Sequence, residues 1–149
     1  MSQIKTLAKV LEVREQEKKD AQLEHHQSIE VFEHIATRLY ELLKKKESAE
    51  SSYERFMHET TPIDQIRDQV QFIEILNKQI IALQKKVTEA RTNMEQKQLK
   101  LTDAHVEVKK YEKVIELREE KELKVARKLD QAFMDEISTQ QFLSRSIGE

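Results

Sequence analysis

Glu59-Thr60-Thr61-Pro62-Ile63-Asp64 is the stretch where one helix has reason to stop and another to begin. A proline is tolerated at the first helical position, because that residue's N–H has no partner inside the helix anyway. Thr61 is placed to cap, with Pro62 as the first helical residue and Asp64 as the third, where a carboxylate meets the positive end of the helix dipole. Pro62 is the only proline of the 149 residues and Gly148 the only glycine. Turns recruit such residues, so the chain has punctuation for about one reversal. A chain that reverses once does not enclose a deep cavity.

On the N-terminal side of this break, steps of three and four residues trace two rows. One is Ile4, Leu11, Lys18, His25, Phe32, Leu39, Lys46, Tyr53; the other is Leu7, Arg14, Ala21, Ser28, Ile35, Leu42, Ala49, Phe56. Eleven of the sixteen are apolar, so the register holds to the break without a slip. On the C-terminal side, Ile66, Ile73, Ile80, Val87, Met94, Leu101, Val108 and Ile115 are all apolar. Their companion row is Gln69, Leu76, Leu83, Ala90, Lys97, Ala104, Tyr111, Arg118. A repeat of 3.5 residues is the seam of a left-handed coiled coil.

Two such helices joined by a short turn pack antiparallel. The fold class expected is therefore all-α: an antiparallel two-helix coiled-coil hairpin in residues 1–149, with a helix over about 4–59, a turn over about 60–62 and a helix over about 62–143. With a tight turn, partners have numbers that sum to about 122, so Phe56 faces Ile66, Leu42 faces Ile80, Ile35 faces Val87 and Leu7 faces Ile115. At about 1.5 Å per residue the helices span roughly 80 Å and roughly 120 Å. The second therefore overhangs from about Leu123 onward.

Three regions stand out against this frame. Arg14, Lys18, His25 and Ser28 place polar groups in the first seam, which should be the loosest stretch, because few apolar contacts offset its ordering. His25, opposite Lys97, is a candidate pH-sensitive position. Apolar residues also lie off the seam: Val10, Val13, Leu23, Val31, Tyr40 and Leu43 on the first helix, and Phe72, Ile75, Ile81, Val106, Val114 and Leu117 on the second. Some are flanks of a wide seam. Phe72 with Ile75, close to the turn, is the best candidate for an adhesive patch. The overhang carries Leu123, Ala126, Leu129, Phe133 and Ile137, with Ala132 and Met134 beside them. Apolar residues on a lone helix call for a partner helix or an enclosing groove.

The composition argues against chemistry. There is no cysteine, no glycine-rich phosphate loop and no serine in a nucleophile-elbow context. The histidines (His25, His26, His34, His58, His105) form no i,i+4 pair and no Glu-x-x-His, so no metal site is expected. No cofactor and no enzymatic activity are expected either. Charge is balanced at 26 Lys+Arg against 28 Asp+Glu, and the longest basic run, Lys44-Lys45-Lys46, reads as a solvated helix face rather than a nucleic-acid footprint. Charges interrupt the first twenty residues, which argues against a secretory segment, and no apolar stretch approaches a membrane span.

Three segments carry a resemblance. Leu7-Ala8-Lys9-Val10-Leu11-Glu12-Val13-Arg14-Glu15-Gln16-Glu17, Val70-Gln71-Phe72-Ile73-Glu74-Ile75-Leu76, and Asp130-Gln131-Ala132-Phe133-Met134-Asp135-Glu136-Ile137 with Phe142 resemble the opening, middle and closing segments of the flagellar export protein FliJ family. Ala132 stands where that family would have a lysine. The resemblance implies a stalk-like antiparallel coiled coil of a type III export apparatus, similar to the central stalk of rotary ATPases. Its terminal end would enter a hexameric export ATPase (FliI-like), through Leu123, Leu129, Phe133 and Ile137. Its turn-proximal surface would touch an export gate protein (FlhA-like), through Phe72, Leu76 and Leu42. Export chaperones are a further partner, and the hairpin would be monomeric when free. It would sit in the cytoplasm, peripheral at the inner face of the cell membrane. The seam register objects to part of this, since Leu76 and Leu42 fall on it, and Lys45 and Gln79 replace an expected aromatic and a small residue. Two alternatives stand beside this reading: the equivalent stalk of a virulence type III secretion system, and a self-associating structural coiled coil.

Overall fold

The computed structural model describes residues 2–147. It contains two helices, α1 from Ser2 to His58 and α2 from Ile63 to Ile147. They pack against each other as an antiparallel helical hairpin. No strand occurs among the described residues, and none of them has a positive φ.

The turn differs by one residue from the capping scheme expected. The Pro62 carbonyl accepts the N–H of Gln65 at 3.1 Å and of Ile66 at 3.4 Å. Pro62 thus supplies the first acceptor from just outside the helix, and Ile63 is the first helical residue. The shift costs nothing, because proline has no N–H to leave unpaired in either place. Asp64 remains in the first turn, and Arg55 and His58 occupy the last turn of α1, so both helix dipoles at the turn meet side chains of favourable sign. At the far end α2 continues past Leu143, because Ser144-Arg145-Ser146 contains no breaker.

Packing divides the chain into two units. The first comprises Lys19–Asp103, which holds the turn. Its core is Ala21, Ala49, Leu76, Ile80, Leu83 and Ala90, with Ser28 buried among them. Small residues on α1 let the helix backbones approach closely. Gln69 on α2 reaches across to donate its amide Nε2–H to the Ala49 carbonyl at 2.9 Å. A seam glutamine would otherwise lose hydration without return. Ser28 solves the same problem locally, donating to the His25 carbonyl at 2.6 Å. Further along, the Arg91 guanidinium lies 5.8 Å from the centre of the Phe32 ring. Lys97 and Lys100 both reach Glu24, at 3.3 and 2.9 Å. Lys97 therefore faces a carboxylate neighbouring His25.

The second unit comprises the segment up to Lys18 and the segment from Ala104 onward. Val108 is its buried core residue, with Ile4, Leu7, Leu11, Tyr111 and Ile115 half-buried around it. Arg14 forms an ion pair with Glu17 at 3.0 Å and stacks 5.7 Å from the centre of the Tyr111 ring. The Glu17 hydrogen bond, then that of Tyr111, holds the guanidinium above its ordinary pKa, so a cation at this seam position stays charged. Val10 and Val114 are half-buried as flanks of the seam. The expected final seam residue, Arg118, is instead exposed, and its guanidinium donates to the Gln3 side-chain oxygen. A long cation at the end of the pairing keeps its charge in water while its stem covers the last turn.

Candidate partner-binding surfaces

The all-α hairpin leaves two classes of apolar side chain outside the seam, and the family-implied residues fall in both. Near the turn, Phe72, Leu76 and Leu42 line one open groove of about 580 Å³, together with Lys45, Ile75 and Gln79. The helix geometry gives the three different fates. Leu76 takes a seam position and is only 3% exposed. Leu42, also on the seam, is half-buried. Phe72 lies four residues before Leu76, rotated out of the seam, and is 45% exposed. Ile75, at 54%, stands beside it. The accessible edge of this groove is therefore Phe72 and Ile75, with Leu76 as its floor. The heptad register carried that distinction before the fold was known.

On the other face of the turn end lies a second groove, lined by Glu50, Tyr53, Val70, Ile73 and Glu74. Exposed Met57 and Ile63 lie close to it in sequence, beside the turn. This face was not singled out by the sequence reading. The signal was available, because Met57 and Val70 both occupy the heptad position that follows the seam on one side.

The second class is the tail of α2. Every residue from Glu116 to Glu136 is exposed. Leu123, Leu129 and Phe133 are more than half exposed, while Ile137 is half-buried. Val125, Leu129, Phe133, Ala126 and Ile137 recur at spacings of three and four, so they share one stripe of the helix. At the base of this tail a groove of about 350 Å³ is lined by Ile4 of α1 and by Val125, Ala126 and Leu129 of α2. The off-seam positions Val13, Leu23, Val31, Tyr40, Leu43, Ile81, Val106 and Leu117 are exposed as well.

No cluster of three or more His, Cys, Asp or Glu suited to a metal ion occurs among the described residues. Nor is any described helix long and apolar enough to cross a membrane.

Fold and surface together define a coiled-coil hairpin whose accessible features are apolar side chains on helix exteriors. The chain belongs to the FliJ family: the model of that family, described as "Flagellar FliJ protein", matches residues 3–146. A relative from Bacillus subtilis (strain 168), named Flagellar FliJ protein, is 37% identical over 139 residues, which cover 91% of this chain and 92% of the relative. No solved structure matches the chain.

Proposed function

We propose that the chain is a non-enzymatic coiled-coil component of the flagellar type III protein export apparatus. It links the export ATPase ring to the membrane export gate and assists export of flagellar proteins. In this reading the hairpin is one working part, cytoplasmic and peripheral at the inner face of the cell membrane, and monomeric when free. The observation that carries it is the bare α2 tail in a chain of this family. Leu123, Leu129 and Phe133 hold apolar surface in water, and of α1 only its first turn, at Gln3 and Ile4, borders the groove at the base of this tail. Exposed apolar stripes of this length mark a helix meant for a groove or ring. Phe72, with Leu42 and Leu76 behind it, is the corresponding contact for the gate at the turn end. Export chaperones are further partners.

The test is a pull-down of the purified full-length chain against the export ATPase hexamer and the cytosolic domain of the gate protein. A chain truncated after Leu123 should lose the ATPase and keep the gate. Undiminished ATPase binding by the truncated chain would overturn the tail assignment, and a full-length chain that binds neither partner would overturn the export role.

A further inference from the structure

The groove beside Phe72 has a charge pattern that the apolar contact alone does not explain. It runs on, through shared lining residues Leu42, Lys45 and Gln79, into a second groove of about 420 Å³ lined by Arg38, Lys45 and Lys86. Lys44 borders the first groove as well. Across both, Glu41 is the single acidic lining residue. That excess stands out in a chain with slightly more acids than bases. Arg38 comes from α1 and Lys86 from α2, at the flanking positions where antiparallel coiled coils place opposite charges to clasp the helices. Here like charges face one groove instead. Arg38, Lys45 and Lys86 make no ion pair among the described residues, and all three are exposed. Forgoing a helix-clasping pair costs the hairpin and leaves cations free for something else. The groove on the opposite face of the turn end is lined by Glu50, which pairs with Lys46, and by Glu74, and by no cation.

We propose that this face receives an acidic amphipathic segment of a protein partner. Apolar side chains of the segment would sit against Phe72 and Ile75, and its carboxylates against Arg38, Lys45 and Lys86. The proposal deepens the reading of this face as a partner contact, and rests on it only for the partner's identity. The groove between two helices is shaped for a single helix or extended strand, and its apolar edge anchors what its cations orient. A lipid surface would meet the cations but not enter the groove.

The test uses the full-length chain and two synthetic amphipathic peptides of about 18 residues. They share one Leu/Phe face; one carries glutamates on its flanks and the other lysines. Fluorescence anisotropy should show the glutamate peptide binding at least about tenfold more tightly at low salt, with the preference shrinking as salt is raised. Lys45→Glu/Lys86→Glu should abolish the preference with circular dichroism unchanged, since both side chains are exposed. Phe72→Ala should weaken both peptides. Equal affinities, binding of neither peptide, or a preference that survives the charge reversal would overturn the proposal. So would adsorption to phosphatidylglycerol vesicles without peptide discrimination, which would assign the cations to a membrane. The gate protein's cytosolic domain, run alongside, separates the two ideas. A chain that selects the glutamate peptide but ignores the gate domain refutes only the gate assignment. A chain that binds the gate domain with no dependence on Lys45 and Lys86 refutes only the acidic partner.

Discussion

The unit around the turn and the tail of α2 are built from similar residue types, yet they end in opposite states. Between Lys19 and Asp103, leucines and isoleucines at heptad spacing find counterparts across the hairpin, and Leu76 and Ile80 are almost fully buried. From Glu116 to Glu136, Leu123, Leu129 and Phe133 repeat at similar spacing and stay in water. The cause is length: α1 has 57 residues and α2 has 85. A heptad repeat declares that a helix wants a neighbour. Whether the neighbour belongs to the same chain depends on how far the other helix reaches.

The sharpest way to break this contrast is to cut the tail. Removal of residues after Leu123 should abolish binding to the ATPase ring while leaving helicity per residue and the melting temperature of the hairpin essentially unchanged. A large fall in melting temperature would mean that the tail is packed after all. Next in size is a matched pair of leucines. Leu76→Ala should cost about 2–5 kcal/mol in urea unfolding, through lost burial and the cavity left behind. Leu129→Ala should stay within about 0.5 kcal/mol. Equal costs would erase the distinction between paired and unpaired stretches.

A finer test sits inside the turn-proximal groove, on residues four apart. Phe72→Ala should change stability by less than about 1 kcal/mol, because nearly half of the side chain already faces solvent. It should still weaken binding to the gate domain by about tenfold or more, as loss of an aromatic anchor does. Loss of stability comparable to that of Leu76→Ala would put Phe72 inside the seam.

The smallest effect expected is at Glu24. Its hydrogen bonds to Lys100 and then Lys97 hold the carboxyl below its ordinary pKa. A group whose pKa is lowered by folding stabilises the fold above its unfolded value, and the contribution is lost as pH falls through the folded one. Glu24→Gln should therefore lower the melting temperature slightly at neutral pH, and wild type and variant should converge on acidification below the ordinary glutamate range. Glu24 and Lys97 are half-buried and Lys100 is exposed, so water still reaches the cluster and the difference should also fade in high salt. A gap that widens at low pH would contradict the assignment.

Much of the architecture was legible because coiled coils obey a short code. Every seam position named from spacing alone on α1, from Ile4 to Phe56, is buried or half-buried, and flanks such as Val10, Ile29 and Ala36 are half-buried beside them. On α2 the agreement holds from Ile66 to Ile115, and fails at Arg118, where pairing ends and a cation gains more from water than from a seam. The pairing expected of numbers that sum to about 122 is met closely by Glu24 with Lys97 and by Phe32 with Arg91. Less legible was how polar seam residues would be satisfied. Gln69 binds a backbone carbonyl across the interface, and Ser28 binds one on its own helix. Periodicity marks such residues as exceptions without saying where their hydrogen bonds go, because that depends on local backbone approach. The cationic groove was missed for a similar reason. Arg38 and Lys45 lie one heptad apart on α1 but Lys86 lies on α2, and read singly each is an ordinary surface charge.

Sequence alone determined that this chain forms two amphipathic helices with a break at Pro62, because apolar period and helix-stopping residues act locally and need no knowledge of the partner. Tertiary structure decided the rest. Of two apolar residues four apart, Leu76 became floor and Phe72 became edge. Lys86 of α2 came to share one groove with Arg38 and Lys45 of α1. Those outcomes depend on which face of one helix meets the other and where the shorter helix ends, and both are properties of the pair rather than of either strip of sequence.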